Sequence, residues 1–213
     1  MKLGGSFVSS PYLHNWLDVL AGCGGHAVVV PGGGPFADAV RNAQAEVGFD
    51  DQTAHHLALM AMEQFGRVLV GVRSVFAMAD TKASIARLLL AGAVPVWSPL
   101  EMVLKADDLP TNWDVTSDSL AAWLVGQIGA SRLLLIKHGQ WSEDRVGVAA
   151  LLSDGSVDKA FPQFLAASGA EASIVGPKPD VDAAARLCAG KPIGTGIDLH
   201  GPDARRLLSP CQR

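Results

Sequence analysis

Lys2, followed closely by Gly4, Gly5 and Ser6, sets one mobile positive charge beside several backbone amides. A phosphoryl group in transfer needs that combination, because negative charge spreads over its outer oxygens. The competing account of the same residues is a frayed end and a turn. A second cluster, Gly32, Gly33 and Gly34, follows the apolar run Val28 to Val30 and precedes Phe36, Ala37 and Arg41. Strand, glycines and helix N-terminus outline an anion site. A tight turn alone would need fewer glycines, since each costs conformational entropy on folding. The third set is Thr116-Ser117-Asp118 opening a helix, with Lys137 ending the apolar run Leu133 to Ile136. An acidic residue in a first helical turn suits the helix dipole in any protein. A carboxylate between two lysines would also fix where each ammonium points.

Other chemistry has less support. His55 and His56 are adjacent, so a helix sends them in different directions. One is expected to face a cleft and the other to be packed or solvated. His14, His26, His138 and His200 show no ligand spacing, and Cys23, Cys188 and Cys211 lie far apart with no CxxC. Neither a zinc site nor a disulfide framework is expected, and the thiols are read as reduced and mostly buried. Gly190-Lys191 is followed by Pro192, so no P-loop occurs, and no GxGxxG follows a strand.

These groups need a scaffold, and 213 residues suffice for one α/β domain with a substantial core. Hydrophobic residues make up 49% and charged residues 18%, which excludes disorder as the main state. A net charge of -4 with no basic stripe argues against a nucleic-acid partner. No apolar run has the length of a membrane span, and no apolar signal core follows Lys2. A cytoplasmic protein is expected.

Short apolar runs at 27–30, 94–97, 133–136, 172–175 and 194–199 read as strands. Helical spacing predicts helices over 37–47, from Asp50 or Asp51 through Phe65, and over 81–90, 116–127, 157–167 and 180–188. Residues 67–72 fit either a strand or a helix end, and 104–113 read as a loop. Continuous apolar strands separated by helices imply a mostly parallel sheet covered on both faces, a three-layer αβα sandwich. The chain is read as one domain, with 107–112 as the best internal boundary. The apolar face of 53–65 serves either the core or an oligomer contact.

Lys2-Leu-Gly-Gly-Ser6, Val28-Val-Val-Pro-Gly-Gly-Gly-Pro-Phe-Ala-Asp38 with Arg41, and Thr116-Ser-Asp-Ser-Leu-Ala-Ala122 together resemble the amino acid kinase superfamily. Ala54-His-His-Leu-Ala-Leu-Met-Ala-Met62, with Gln64 and Gly66, resembles its branch acting on an aminomethylfuran-methyl phosphate, in methanofuran and methylofuran biosynthesis. The resemblance implies an ATP-dependent kinase using Mg²⁺ and a small phosphorylated or carboxylated acceptor, working as a homo-oligomer. It implies an acceptor-binding half over about 1–110 and an ATP-binding half over about 111–213. Lys2 would stabilise the transferring phosphoryl, and Asp118 would organise the lysines. Gly4, Gly5, Ser6 and Lys137 would bind ATP phosphates. Gly32, Gly33, Gly34, Arg41 and His56 would hold the acceptor. The acceptor oxygen is already anionic, so no general base is required. Uridylate or a carboxylate is the alternative acceptor, and a nucleotide or metal-oxide storage protein the non-catalytic alternative. Two departures stand out. Only Met1 precedes Lys2, which implies an upstream start or a truncated strand that holds Lys2 poorly. Lys137 stands where many relatives carry a small hydroxyl residue and an Asp.

Overall fold

The computed structural model describes residues 1–199. In chain order its elements are β1 (Lys2–Leu3), a 3-10 turn (Gly5–Ser9), α1 (Leu13–Ala21), β2 (Val30–Pro31), α2 (Gly34–Val47), α3 (Asp51–Val72), β3 (Phe76–Ala79), α4 (Lys82–Leu90), β4 (Val94–Trp97) and α5 (Leu100–Val103). There follow α6 (Ser117–Ile128), β5 (Arg132–Ile136), β6 (Arg145–Gly147), α7 (Val148–Ser153), α8 (Phe161–Ser168), β7 (Glu171–Val175), α9 (Ala183–Cys188) and β8 (Thr195–Asp198). Six strands pair in the order β2-β1-β5-β7-β8-β6. The β3-β4 pair joins beside β2 through a parallel bridge between Val29 and Val96. Every pairing is parallel except β7 with β8.

Strand alternation builds the three layers. Leu133 and Leu135 of β5 face one apolar cluster with Leu120, Leu124 and Phe161, while Leu134 and Ile136 face another with Trp16, Leu17 and Phe65. Period-2 geometry makes that division unavoidable for an uninterrupted apolar strand. Leu3 joins the second cluster, so Lys2, its neighbour in β1, points to the opposite face, toward α6.

Local chemistry sets several boundaries. Asp50 caps α3 by accepting from the Thr53 amide at 2.7 Å. Gly48 ends α2 and Gly129 ends α6, both in the left-handed region. Residues 67–72 complete α3, whose Phe65 and Leu69 stay on its buried stripe. The helix expected over 157–167 begins only at Phe161, because the amides of Val157 and Ala160 donate to Leu151 and Asp114 across the chain. Helix α1, strand β3 and the β6-α7 segment were not anticipated. Cys23 is buried and Cys188 is exposed, so only the first is the interior thiol expected; Cys211 and His200 lie outside the described residues.

Candidate active site

β1, β2 and β5 run in register, with Leu3 opposite both Pro31 and Ile136. Their carboxyl ends therefore deliver Gly4, Gly32 and Lys137 to one place. In open α/β sheets ligands bind at such strand ends.

Backbone contact dictates the glycines here. A Cβ on Gly5 would lie 2.0 Å from the Gly34 amide nitrogen, and one on Gly34 would lie 2.2 Å from the Gly5 carbonyl oxygen. Gly34 also has φ of +51°, a conformation that L side chains rarely adopt. The two glycine segments thus pack main chain to main chain. The Gly4 amide donates to Ile136 O at 3.0 Å and the Gly32 amide to Leu3 O at 2.8 Å. Those two glycines complete the sheet, a correction to the expectation that their amides bind ligand. The amides of Gly5, Ser6, Gly33 and Gly34 donate to no described carbonyl and form the available donor set. Ser6 is exposed.

Above the glycines lies a buried charge cluster. Asp118 Oδ1 is 2.8 Å from the Lys2 ammonium and Oδ2 is 2.6 Å from that of Lys137. Lys2 and Asp118 are each 4% exposed. Lys2 is therefore firmly held, which removes the poorly held lysine from the two alternatives raised by its position. Lys2 and Asp118 thus form a buried ion pair through Oδ1. Burial pushes the Asp118 carboxyl up, but the charges of Lys2 and Lys137 outweigh it and hold the group below the usual carboxylate range. Burial lowers Lys2, with Asp118 opposing and Lys137 adding to the shift. Lys137 also donates to Ser156 O.

A cavity of about 110 Å³ adjoins the glycines and is walled by Gly33, Arg41, His55, Trp113 and Thr116, among others. His56, expected at the acceptor, is exposed on the outer face of α3; His55 faces the cavity instead. The buried stripe carrying Leu59 and Met62 decides which of the two turns inward. His55 is 6% exposed and its Nε2 has no described partner. Burial, then the neighbouring His56, lowers its pKa and so favours the neutral ring. Arg41 lies 4.3 Å over the Trp113 ring and pairs with Asp38. Trp113 donates through Nε1 to Gln44 at 2.7 Å. A larger cavity, about 1130 Å³, opens at the amino ends of the strands near Met1, Val28 and Leu133, away from the charge cluster.

Two contributors were missed by sequence reasoning, Trp113 and Asp158. The Asp158 carboxylate accepts from Thr116 and Ser119, 42 and 39 residues away, and nothing in its neighbourhood signals that role. Trp113 lies in a segment read only as loop. Among the described residues no group of three His, Cys, Asp or Glu side chains could hold a metal ion.

Residues 1–139 match the model of the amino acid kinase family. The chain belongs to that family. It is a kinase, an α/β phosphotransferase with a mostly parallel central sheet. Similar solved structures carry the same fold. Uridylate kinase from Archaeoglobus fulgidus superposes with a TM-score of 0.70 at 17% identity, covering 92% of this chain and 99% of that one. UMP kinase from Ureaplasma parvum gives 0.65 at 15% identity, with 92% and 94% covered. A curated relative, the [5-(aminomethyl)furan-3-yl]methyl phosphate kinase of Methanocaldococcus jannaschii, is 24% identical over 176 residues, 78% of this chain and 81% of its own length. Among the described residues of this kinase no helix is long and apolar enough to cross a membrane.

Proposed function

We propose that this kinase transfers the γ-phosphoryl of ATP to a phosphate oxygen of a small phosphomonoester, [5-(aminomethyl)furan-3-yl]methyl phosphate or a close analogue, giving its diphosphate and ADP. The observation that carries the proposal is the Lys2–Asp118–Lys137 cluster set at glycine-lined strand ends. Two ammoniums fixed by one carboxylate offer preorganised positive charge to phosphoryl oxygens, at no cost of reorganisation during transfer. The acceptor phosphate attacks phosphorus with an oxygen that is already anionic. The bond to the ADP oxygen breaks, and no proton needs to be removed. Lys2 faces the transferring group, and Gly5, Ser6 and Lys137 hold ATP phosphates. Gly33 and Gly34 hold the acceptor phosphate, with Arg41 and His55 at its ring end.

The name of the curated relative supports this acceptor. So does the small cavity, whose 110 Å³ falls well below the about 300–1,000 Å³ of sites for larger ligands. Mg²⁺ would ride on the phosphate oxygens of ATP and on water, as Mg²⁺ prefers, and would supply charge neutralisation. Residues about 1–110 form the acceptor-binding half and 111–213 the nucleotide half of a single domain. The enzyme works in the cytoplasm as a homo-oligomer; Met60, Val68 and Val72, exposed along α3, support pairing with a second copy.

Phosphorus NMR of the protein with Mg-ATP and the furan phosphate tests this. Coupled diphosphate resonances, absent with Lys2→Met, are expected. Transfer to UMP or to a carboxylate, with the furan phosphate left unchanged, overturns the acceptor assignment.

A further inference from the structure

A carboxylate at a helix start can accept from the free amides of the first turn. Asp118 does not; it projects to the two lysines. The amides it leaves are served from elsewhere. Asp158 Oδ2 accepts from the Thr116 amide at 2.9 Å, the Thr116 hydroxyl at 2.7 Å and the Ser119 amide at 3.1 Å, and Oδ1 accepts from the Ser119 hydroxyl. Thr116, the N-cap residue of α6, makes no side-chain cap bond of its own. The helix bearing Asp118 is therefore capped by a residue from a distant segment.

That segment is tied to the site at more than one point. Ser156 O accepts from Lys137, Val157 is buried in the core, the Ala160 amide donates to Asp114 O at 3.0 Å, and Lys159 pairs with Asp114 at 2.9 Å. The strap 156–160 thus grips Lys137 on one side and both flanks of Asp118 on the other.

We propose that Asp158 is a positioning residue for phosphoryl transfer: by capping α6 from outside, it leaves Asp118 free to align Lys2 and Lys137. The proposal rests on that charge cluster being the transfer machinery. Remove the Asp158 carboxylate, and the Thr116 and Ser119 amides lack a partner. Asp118 sits in that same first turn, and turning to them would break its hold on the lysines. A misplacement of about 1 Å in such a cluster costs about a hundredfold in rate.

The test compares Asp158→Ala, Asp158→Asn, Asp118→Asn and the double variant Asp118→Asn/Asp158→Ala, using the acceptor that the wild-type enzyme phosphorylates. Rates are read below the thermal midpoint of each variant. Asp158→Ala is expected to lower kcat about a hundredfold with KM within about threefold. Asp158→Asn keeps one acceptor oxygen and should recover most of the loss. In the Asp118→Asn background, Asp158→Ala should cost no more than about a further twofold, because the two act through one element. Wild-type kcat in Asp158→Ala beside an impaired Asp118→Asn overturns the proposal and leaves the site assignment standing, as do fully multiplicative losses. Wild-type kcat in Asp118→Asn overturns both. If Asp158→Ala does not fold, Asp158→Leu, close in size and without an acceptor, decides by the same measures. A crystal structure of Asp158→Ala gives an answer without turnover. An Asp118 carboxylate moved beyond about 4 Å of Lys2 supports the proposal, and an unmoved one overturns it.

Discussion

Lys2→Met and Asp118→Asn should lose activity alike and change stability in opposite senses. Lys2 is 4% exposed and burial lowers its pKa, so the folded state penalises the ammonium even with Asp118 beside it. Methionine fills nearly the same volume without a charge, and Asp118 keeps Lys137 as its partner at 2.6 Å. Stability of Lys2→Met should therefore be unchanged or raised, as when a buried ion gives way to an apolar side chain of similar size. Asp118→Asn does the reverse. It leaves the ammoniums of Lys2 and Lys137 facing one neutral amide in a buried site. Removing the shared partner of buried charges costs about 3–5 kcal/mol. For a chain of 213 residues that corresponds to a fall of about 10 °C in thermal midpoint. Both variants should lose about 10²–10³ in kcat, the usual cost of one preorganised contact to transition-state charge. Calorimetry with a coupled ADP-release assay measures both quantities. Lys2→Met with kcat within threefold of wild type would refute Lys2 as the contact to the transferring group. Asp118→Asn with an unchanged midpoint would refute the charge balance.

Three further outcomes follow from the geometry. His55→Ala should raise KM for the acceptor about tenfold, the worth of one hydrogen bond to a buried group, whereas the exposed His56→Ala should leave initial rates within twofold. Gly5→Ala places a Cβ 2.0 Å from the Gly34 backbone, so denaturant titration should show a loss of about 3 kcal/mol or more together with loss of activity. Burial, with the Cys188 thiol beside it, pushes the Cys23 thiol up to about 12, while Cys188 lies exposed with its sulfur 3.7 Å away. In a Cys211→Ser background N-ethylmaleimide at pH 7.5 (roughly a unit below the ordinary thiol pKa) should add once, at Cys188; prompt labelling of Cys23 would contradict its burial.

The parallel sheet was legible because its strands carry continuous apolar runs between helical patterns. Val94 to Trp97 matches its strand at both ends, and Asp50 caps the helix that its side chain predicts. Strand β1 was not legible from pattern, being two residues long and held by neighbours on both sides. Helix α1 was hidden for a different reason. Its buried residues Leu13, Trp16, Leu17 and Leu20 keep helical spacing, but Ser10-Pro11 and Gly22 confine them to a short window. At the site, Lys2, Asp118 and Lys137 could be named because each sits at an element end with a glycine or capping signature. The His55/His56 choice required knowing which α3 face packs inward, which a sequence of mixed apolar content (Met60 outside, Met62 inside) left open.

Asp158 shows where local reading must fail. Its neighbours Ser156, Val157 and Lys159 carry no motif, and its partners lie about forty positions earlier. The requirement for it is nonetheless physical. A helix whose first-turn acid is used on two lysines has amides to satisfy, and a buried amide without a partner costs about 1–3 kcal/mol. The sequence Thr116-Ser-Asp-Ser119 offers four capping residues for one helix start, which is more than a helix needs. None of them caps it here; the acceptor comes from another part of the chain, as Asp158. On the proposed role of Asp158, phosphoryl transfer depends on a strap and a helix meeting correctly, and not on the three charged residues alone.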